Sequence, residues 1–182
     1  MAKTKIKKVI VTGAAGAIGS HVAEALSKEG YEVVGIDVVT DYYSPAIKEI
    51  TITDLKKAGI PVIRRNIANE ALDDVLSGAE IIFHFAAQPG ISATTPFEKY
   101  VENNIVATHK LLEAAARLNT LKLFIHISTS SIYGARADSD ETAEPKPTSY
   151  YGVTKLASEQ LALSYWREKS LPVTVLRLFS VY

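Results

Sequence analysis

The sequence predicts an α/β fold, a doubly wound parallel sheet with helices on both faces. Short apolar runs rich in Val and Ile alternate along the chain with longer segments of helical period. Each run is apolar at consecutive positions, as strands buried on both faces are. This strand–helix alternation continues through all 182 residues, which is typical of βαβ units joined in one domain.

The elements follow in order from these patterns. Six runs are predicted as strands: Val9–Thr12, Glu32–Ile36, Pro61–Arg64, Ile81–Phe85, Lys122–Ser128 and Val173–Leu178. Five segments between them are predicted as helices: Ala17–Glu29, Ser44–Lys57, Glu70–Leu76, Glu98–Leu118 and Tyr151–Glu168. The proline-rich, acidic stretch Asp138–Thr148 is expected to be a surface loop.

The two longest helices carry apolar residues on more than one stripe. The main stripes are Val101, Ile105, Leu112 and Ala116 in the first helix, and Val153, Leu156, Ala157, Gln160 and Leu161 in the second. Off these stripes lie Val106, Leu111, Leu163 and Trp166. Because a surface helix of a monomer needs only one apolar face, we expect the second stripe to be buried against another surface.

The composition excludes several classes of protein. Twenty basic residues balance twenty acidic ones, so no net charge favours nucleic acid or a membrane surface. The absence of cysteine excludes disulfides, thiolate metal sites and a cysteine nucleophile. No apolar run is long enough to span a bilayer. The run after the lysine-rich start is broken by Thr12 and Gly13, too soon for a signal peptide, so we expect a cytoplasmic protein.

The histidines do not have the spacing of a metal site, so no metal is expected. They are His21, His84, His109 and His126. We expect His84 and His126 to bond backbone carbonyls in the core. Tyr165 and Trp166 are expected to be packing residues of the last helix, with a role in an interface as the alternative.

The first strand is followed by a glycine-rich turn, TGAAGAIG at residues 12–19. Gly13 allows the tight turn, Gly16 lets a pyrophosphate approach the backbone, and Gly19 lets the helix pack close to the sheet. The helix N-terminus favours an anion. Such a turn also occurs without a ligand. Asp37, at the end of the second strand, favours a dinucleotide, and with no arginine in residues 38–41 it favours NAD over NADP.

Tyr151 and Lys155 are four residues apart on a predicted helix and therefore share one face. A free tyrosine titrates near ~10, so a base at neutral pH needs a shift of ~4 kcal/mol. A cation ~4 Å away supplies about that much at an effective dielectric of ~20. A solvated pair is the alternative. The strand that precedes this helix ends in hydroxyl side chains, ISTSSIYG, at the edge where such sheets bind ligands.

Several motifs in this order carry a family resemblance: TGAAGAIGSH, GID, FHFAAQPG, NN, ISTSSIYG, YYGVTK and LRLFSVY. The chain resembles the extended short-chain dehydrogenase/reductase family, the NAD-dependent epimerases and dehydratases, and is most similar to nucleotide-sugar 4-epimerases. The stretch GIDVVTDYYSPAIKE is similar to UDP-glucuronate 4-epimerases. The resemblance implies a Rossmann-like fold, NAD as cofactor and a UDP-sugar as substrate. Because members of the family commonly pair through the two longest helices, it also implies a homodimer through residues 98–118 and 151–168.

The resemblance also implies roles for individual residues. Tyr151 would be the base, Lys155 its partner and the ribose anchor, and Thr129 the group that orients the substrate. Substrate contacts would come from Thr129, Ser130 and Tyr151. Cofactor contacts would come from Gly13, Gly16, Ala17, Ile18, Gly19, Asp37, Asn66, Ile67, Phe85, Ala86, Ala87, Gln88, Asn104, Ser128, Tyr151, Lys155 and Phe179.

The sequence departs from the family pattern at two places. Asn66 stands where the family usually has an aspartate that contacts adenine, so we expect altered affinity rather than lost binding. Family members also continue past the last strand with Gly-Pro and a substrate-binding region, whereas this sequence ends at Tyr182. We therefore expect residues 1–182 to form an NAD(P)-binding Rossmann domain without that region and with negligible activity alone.

The residues after Thr129 favour epimerisation among the reactions of the family. Related dehydratases follow the threonine with Asp-Glu, and related decarboxylases carry a Glu two residues on. Here Ser130 and Ser131 stand there, and serine hydroxyls are too weak for either acid–base task. The alternative from another class is a module that binds NAD without turnover, which would not need Thr129, Tyr151 and Lys155.

Overall fold

Six parallel strands form a single sheet in a computed structural model that describes residues 8–40, 42, 44–90, 92, 94–135 and 139–181. The strands are β1 (Lys8–Thr12), β2 (Glu32–Asp37), β3 (Val62–Arg64), β4 (Ile81–His84), β5 (Leu123–Thr129) and β6 (Val173–Leu178). The lysines before residue 8, which bear on targeting, lie outside the described residues. All six predicted strands are confirmed, with ends that differ by at most one residue.

The strand order is β3-β2-β1-β4-β5-β6. Thr12 at the end of β1 lies beside Ile36 of β2 on one side and His84 of β4 on the other. The chain therefore runs outward in one direction from β1 to β3 and in the other from β4 to β6. In such sheets the crevice at this reversal, at the carboxyl ends of the strands, is where ligands bind.

The helices cover both faces of the sheet. They are α1 (Ala17–Lys28), α2 (Pro45–Lys57), α3 (Asp73–Leu76), α4 (Phe97–Tyr100), a π-helical segment (Val101–Val106), α5 (Ala107–Ala115) and α6 (Tyr150–Lys169). A 3₁₀ turn (Ser130–Tyr133) follows β5. The helix predicted from Glu70 is shorter than expected, because it begins only at Asp73. None of the helices in the described part is long and apolar enough to cross a membrane.

Alternate residues of the central strands pack into two separate cores, one on each face of the sheet. Val9 and Val11 pack with Ala23, Leu55 and Ile60 on one face of the sheet. Ile10 joins a larger cluster on the other face, which includes Ile82, Phe124, Leu76, Leu111 and Leu112. Both faces of β1 are thus buried, which confirms the prediction from its unbroken apolar run.

The faces predicted for the two longest helices are partly wrong. Inside the first, the π-helical segment adds a residue to the turn and shifts the register, so Leu111 is fully buried, Val101 and Ile105 are only half-buried, and Ala116 is exposed. Leu111 therefore belongs to the core and not to a second apolar stripe.

The second long helix turns a polar face toward the sheet. Along α6 the buried positions include Thr154, Lys155, Ser158 and Glu159, whereas Val153 is 45% exposed and Gln160 is exposed. Apolar periodicity selected the wrong side because this helix buries polar side chains. Tyr165 packs in the core as predicted, but Trp166 is 56% exposed and does not.

Candidate active site

The glycine-rich turn after β1 is shaped for close approach of the backbone. Gly13 has a φ of 69°, and a Cβ there would lie 2.8 Å from the main-chain nitrogen of Ala86. A Cβ on Gly19 would collide with the carbonyl oxygen of Gly13. The first intrahelical bond runs from Ser20 to Gly16, so the N–H groups of the first turn of α1 have no helical partner. These groups and the helix dipole suit a pyrophosphate.

Gly16 has a different reason to be glycine. A Cβ at this position would meet only the carbonyl oxygen of Gly13, at 3.2 Å. The rest of its surroundings are open, so packing against the protein barely requires a glycine here. The free space is what a bound pyrophosphate needs at the N-terminus of α1.

Asp37 closes the end of β2 and is almost completely buried. Its Oδ2 accepts from the main-chain N–H of Ala15 at 2.9 Å, and its Oδ1 accepts from Nζ of Lys48 at 3.0 Å. Lys48 lies on α2, eleven residues further along the chain. Residues 38–41, which directly follow Asp37, gave no sign of this cation, because no local pattern shows that α2 folds back onto β2.

The end of β4 is tied to the π-helical segment and to α6 through Asn104. The main-chain N–H of Gln88 donates to Oδ1 of Asn104 at 2.7 Å, and Nδ2 of Asn104 donates to Oγ1 of Thr154 at 3.0 Å. Asn104 is fully buried. The structure therefore gives this predicted cofactor residue a positioning role between the loop that begins at Phe85 and the helix that carries Tyr151.

His84 makes no bond to a backbone carbonyl, contrary to the expectation. Its Nδ1 lies 2.8 Å from Oγ1 of Thr12, and its Nε2 lies 2.9 Å from Oγ1 of Thr108. The hydroxyl of Thr108 donates its hydrogen to the carbonyl oxygen of Asn104. Nε2 of His84 must therefore be the donor in its bond to Oγ1 of Thr108. Burial, with Lys155 nearby, lowers the pKa of His84 to about 3, so the ring is neutral.

His126 is likewise bonded to a hydroxyl and not to a carbonyl. Its Nε2 lies 3.2 Å from Oγ of Ser158, which donates its own hydrogen to the carbonyl of Lys155. Burial, with the charge of Lys155 nearby, lowers the pKa of His126 well below its ordinary value. No cluster of metal-binding side chains occurs in the described ranges.

Thr129 ends β5 and caps the turn that follows. Its Oγ1 accepts from the main-chain N–H of Ser131 at 3.2 Å and donates to Oγ of Ser131 at 3.3 Å. Ser130 and Ser131 are half-buried beside it. The predicted hydroxyl group thus lies at the carboxyl edge of the sheet, with part of its bonding capacity still unused.

Tyr151 and Lys155 are brought to that same edge by the start of α6. Ser149 caps the helix by accepting from Gly152 at 3.1 Å, and a Cβ on Gly152 would lie 2.6 Å from the carbonyl oxygen of Ser131. The helix therefore begins directly against the turn after Thr129. Tyr151 is half-buried, with its ring centroid 6.5 Å from that of Tyr100.

Lys155 is buried and anchored beneath the site. Its Nζ donates to the carbonyl oxygen of Ile127 at 2.5 Å. Burial lowers the pKa of Lys155 to about 8, and the neighbouring carboxylate of Glu159 opposes this effect. At neutral pH the ammonium form therefore still predominates, as a partner of a tyrosinate requires.

The crevice fits a nicotinamide dinucleotide on an observation independent of the glycines. Three buried polar atoms have no partner among the described residues: Nδ1 of His126 within β5, and Nε2 of Gln88 and Oγ of Ser128 near the ends of β4 and β5. Buried polar groups are normally bonded, so the two near the strand ends call for a polar ligand. Phe179, predicted to lie near the nicotinamide, is exposed just after β6.

Comparison with known proteins agrees with this geometry. The model of the NAD dependent epimerase/dehydratase family matches residues 9–182. The chain belongs to this family. The family resemblance and the Rossmann-like fold predicted from the sequence are confirmed, as is NAD as the cofactor of the family.

Relatives extend the likeness beyond the family model. A Bacillus subtilis protein named as an uncharacterized UDP-glucose epimerase is 38% identical over 96% of this chain and 57% of its own length. UDP-glucuronate 4-epimerase 3 of Arabidopsis thaliana is 35% identical over 96% of this chain and 42% of its own length. The chain therefore spans about half the length of the curated relatives it matches.

A solved structure is similar over the same region. The UDP-glucuronic acid 4-epimerase of Bacillus cereus, in complex with UDP-glucuronic acid and NAD, superposes with a TM-score of 0.90 at 42% identity. The match covers 96% of this chain and 57% of the other. The chain thus shares its fold with an enzyme that binds UDP-glucuronic acid and NAD.

Proposed function

We propose that these residues form the NAD-binding domain of a UDP-sugar 4-epimerase. The observation that carries the proposal is the start of α6, which is held against the turn after Thr129 and supplies Tyr151 and the buried Lys155 at one edge of the sheet. The glycine-rich turn and Asp37 lie at the same edge. A module that only binds NAD has no need of Thr129, Tyr151 and Lys155.

Each side chain has a distinct task in this proposal. Tyr151 takes the proton of the sugar 4-hydroxyl, and the ammonium of Lys155 stabilises the tyrosinate that does so. Thr129 donates to the reacting oxygen by turning its hydroxyl hydrogen away from Oγ of Ser131, to which it makes only a long bond of 3.3 Å. Bound NAD would supply the hydride acceptor that the chain lacks. The 4-keto sugar then turns its other face to the site before reduction, and Tyr151 returns the proton.

The alternatives within the family require further acid–base groups. Dehydration and decarboxylation would need carboxylates beside Thr129, where Ser130 and Ser131 stand. Their hydroxyls bond well to a sugar substituent but are poor acids and bases at neutral pH. Epimerisation needs no group beyond Tyr151, Lys155 and Thr129, and it is therefore the reaction that the site supports best.

We also propose that residues 98–118 and 151–168 form the surface of a homodimer. Exposed apolar side chains on these helices include Val106, Val153 and Trp166. The rings of Phe97 and Tyr150, both substantially exposed, lie 5.0 Å apart and join the two helices. The cytoplasm is the proposed location, since the chain carries no cysteine for a disulfide of the kind found in oxidising compartments.

The experiment that tests this proposal separates binding from chemistry with Tyr151→Phe. Calorimetry of the unchanged chain is expected to show one NAD site, and the variant should bind NAD within a few-fold, because only one hydroxyl is lost. In the native polypeptide that carries these residues, chromatography of UDP-glucuronic acid should show conversion to its 4-epimer, and the variant should abolish it. A variant that kept most of its kcat would exclude Tyr151 as the base. NAD binding without any conversion by the native polypeptide would favour the non-catalytic module.

A further inference from the structure

His84 ends β4 at the reversal of the sheet. In the strand register it lies beside Thr12, the last residue of β1, on one side and beside His126 of β5 on the other. Its side chain is fully buried, so its influence on the crevice passes through the groups that it bonds. These groups are the hydroxyls of Thr12 and Thr108, which lie on β1 and α5.

One hydrogen determines the direction of every bond around this ring. The hydroxyl of Thr108 donates to the carbonyl oxygen of Asn104 at 2.7 Å, so Nε2 of His84 carries the hydrogen that Thr108 accepts. A neutral imidazole has a single N–H, and Nδ1 is therefore the acceptor for the hydroxyl of Thr12 at 2.8 Å. Oγ1 of Thr12 in turn accepts from the main-chain N–H of Ala86 at 3.1 Å. These groups thus form a chain in which each donates to the next.

The chain of bonds continues from Asn104 to the helix that carries Tyr151. Nδ2 of Asn104 donates to Oγ1 of Thr154 at 3.0 Å. Thr154 shares its own hydrogen between the main-chain carbonyls of Tyr150 and Tyr151, at 2.8 and 3.1 Å. The loop after β4 is held at a second point, because Oδ1 of Asn104 accepts from the main-chain N–H of Gln88. A continuous set of hydrogen bonds therefore runs from this loop through the ends of β1 and β4 to the first turn of α6.

Only one protonation state of His84 fits this set of bonds. The opposite tautomer would draw the hydrogen of Thr108 to Nε2 and away from the carbonyl of Asn104. A charged ring would donate from both nitrogens and leave the hydroxyl hydrogen of Thr12 without an acceptor. Burial lowers the pKa of His84 to about 3, so the charged ring is excluded at neutral pH.

We infer that His84 is a positioning residue, which holds the loop after β4 and the start of α6 in one fixed arrangement. The inference rests on the proposed function, in which this loop lines the NAD and α6 carries Tyr151. Hydride leaves the sugar carbon and the proton leaves its hydroxyl, so the nicotinamide and the phenol must be held at a set separation. The affinity for NAD, by contrast, is spread over many contacts. Breaking the set of bonds should therefore lower kcat far more than it weakens NAD binding.

Nitrogen NMR of the unchanged chain with isotope-labelled histidine tests the tautomer. The resonances of His84, assigned by their absence in His84→Gln, should show a hydrogen on Nε2 and none on Nδ1, above and below the ordinary histidine pKa of about 6.5. Thr108→Ser should keep this tautomer, because it keeps the hydroxyl. Thr108→Val removes the acceptor of Nε2 and should move the hydrogen to Nδ1, where Thr12 accepts it. A hydrogen on Nδ1 in the unchanged chain, or titration of this ring near the ordinary pKa, would overturn the inference.

Kinetics of the native polypeptide that carries these residues test the coupling. Thr108→Val should lower kcat for the conversion of UDP-glucuronic acid about tenfold or more, while the Kd of NAD stays within a few-fold. Thr108→Ser should restore most of the kcat, because its hydroxyl can make both bonds. Thr120→Val is the matched control, since it also removes a bond from a threonine hydroxyl to a carbonyl, that of Ala79 at 2.7 Å. Thr120 precedes β5 at the far edge of the sheet, so this variant should leave kcat unchanged.

The outcomes separate the role of His84 from the proposed function. An unchanged kcat in Thr108→Val, equal losses of kcat in Thr108→Val and Thr108→Ser, or a loss of NAD affinity as large as the loss of kcat would overturn the positioning role. An active polypeptide with the hydrogen of His84 on Nδ1 would overturn that role alone. A polypeptide that binds NAD with the hydrogen on Nε2 but converts no UDP-sugar would overturn the proposed function, and with it the role of His84 in catalysis.

Discussion

Glu159 and Arg177 form an ion pair beneath the candidate site, in which the carboxylate is fully buried and the guanidinium is partly exposed. Nη2 and Nε of Arg177 donate to the two carboxylate oxygens of Glu159 at 2.6 and 3.2 Å, and Glu159 has no exposed surface. Nη1 of Arg177 also donates to the hydroxyl of Tyr133 at 2.7 Å. The pair thus joins β6, α6 and the turn after Thr129, one helical turn from Lys155.

Arg177→Met is expected to destabilise the domain by about 3 kcal/mol, because it leaves the carboxylate of Glu159 buried without its partner. Replacing both residues, as in Glu159→Met with Arg177→Met, should recover most of this loss, since no charge is then left buried. Denaturant unfolding of the two single variants and the double variant measures the coupling. Additive losses in the double variant would show that the pair is not coupled.

Lys155 should make the stability of the domain depend on alkaline pH. Burial lowers the pKa of Lys155 from 10.5 to about 8, so between these values the unfolded chain binds more protons than the folded one. The free energy of unfolding then rises with pH across this window, by about 2 kcal/mol between about pH 7.5 and 9.5. Lys155→Met should lose this rise while keeping the titration of all other groups. An equal rise in both proteins would exclude Lys155 as its source.

The strands β1, β2 and β5 were predictable because they are buried on both faces and therefore read as apolar runs, whereas the edge strands β3 and β6 are only partly buried. Val9, Ile10 and Val11 show this, since neighbouring residues feed different cores. The glycine-rich turn was predictable for a similar reason. At Gly13 and Gly19 a Cβ would collide with backbone atoms, so both positions require glycine. This requirement is visible in the spacing of the glycines along the sequence.

The buried faces of the two long helices could not be predicted from apolar spacing. On α6 the residues that face the sheet include Lys155 and Glu159, which are satisfied by Ile127 and Arg177 from distant strands. In the other helix the π-helical segment shifts the register before Leu111. No local spacing links Glu159 to Arg177, because Arg177 lies eighteen residues further along the chain, on β6.

Asp37 and Lys48, the cation beside it, should both affect the preference of the site for NAD over NADP. Asp37→Ala should weaken NAD and narrow its advantage over NADP, because the ribose hydroxyls lose their acceptor and a 2′-phosphate loses a repelling charge. Lys48→Met should widen that advantage, because it removes the only described cation within ion-pair distance of Asp37. Calorimetry with both cofactors measures the two ratios. Tighter binding of NADP than NAD by the unchanged chain would contradict the prediction.

The apolar surface of the two long helices predicts self-association that depends on specific side chains. Trp166 is 56% exposed on α6 and Val106 is exposed at the end of the π-helical segment, so each would bury apolar area in a symmetric pair of helices. Light scattering at micromolar concentration should give twice the 19.8 kDa mass of the chain. Trp166→Asp and Val106→Asp should each shift it to a monomer, since a charge would be buried without a partner. Ile47→Asp on α2 is the control, because Ile47 is equally apolar and 64% exposed but lies outside residues 98–118 and 151–168. If the unchanged chain is a monomer, the homodimer is excluded. If only Ile47→Asp dissociates the dimer, the contact lies outside residues 98–118 and 151–168.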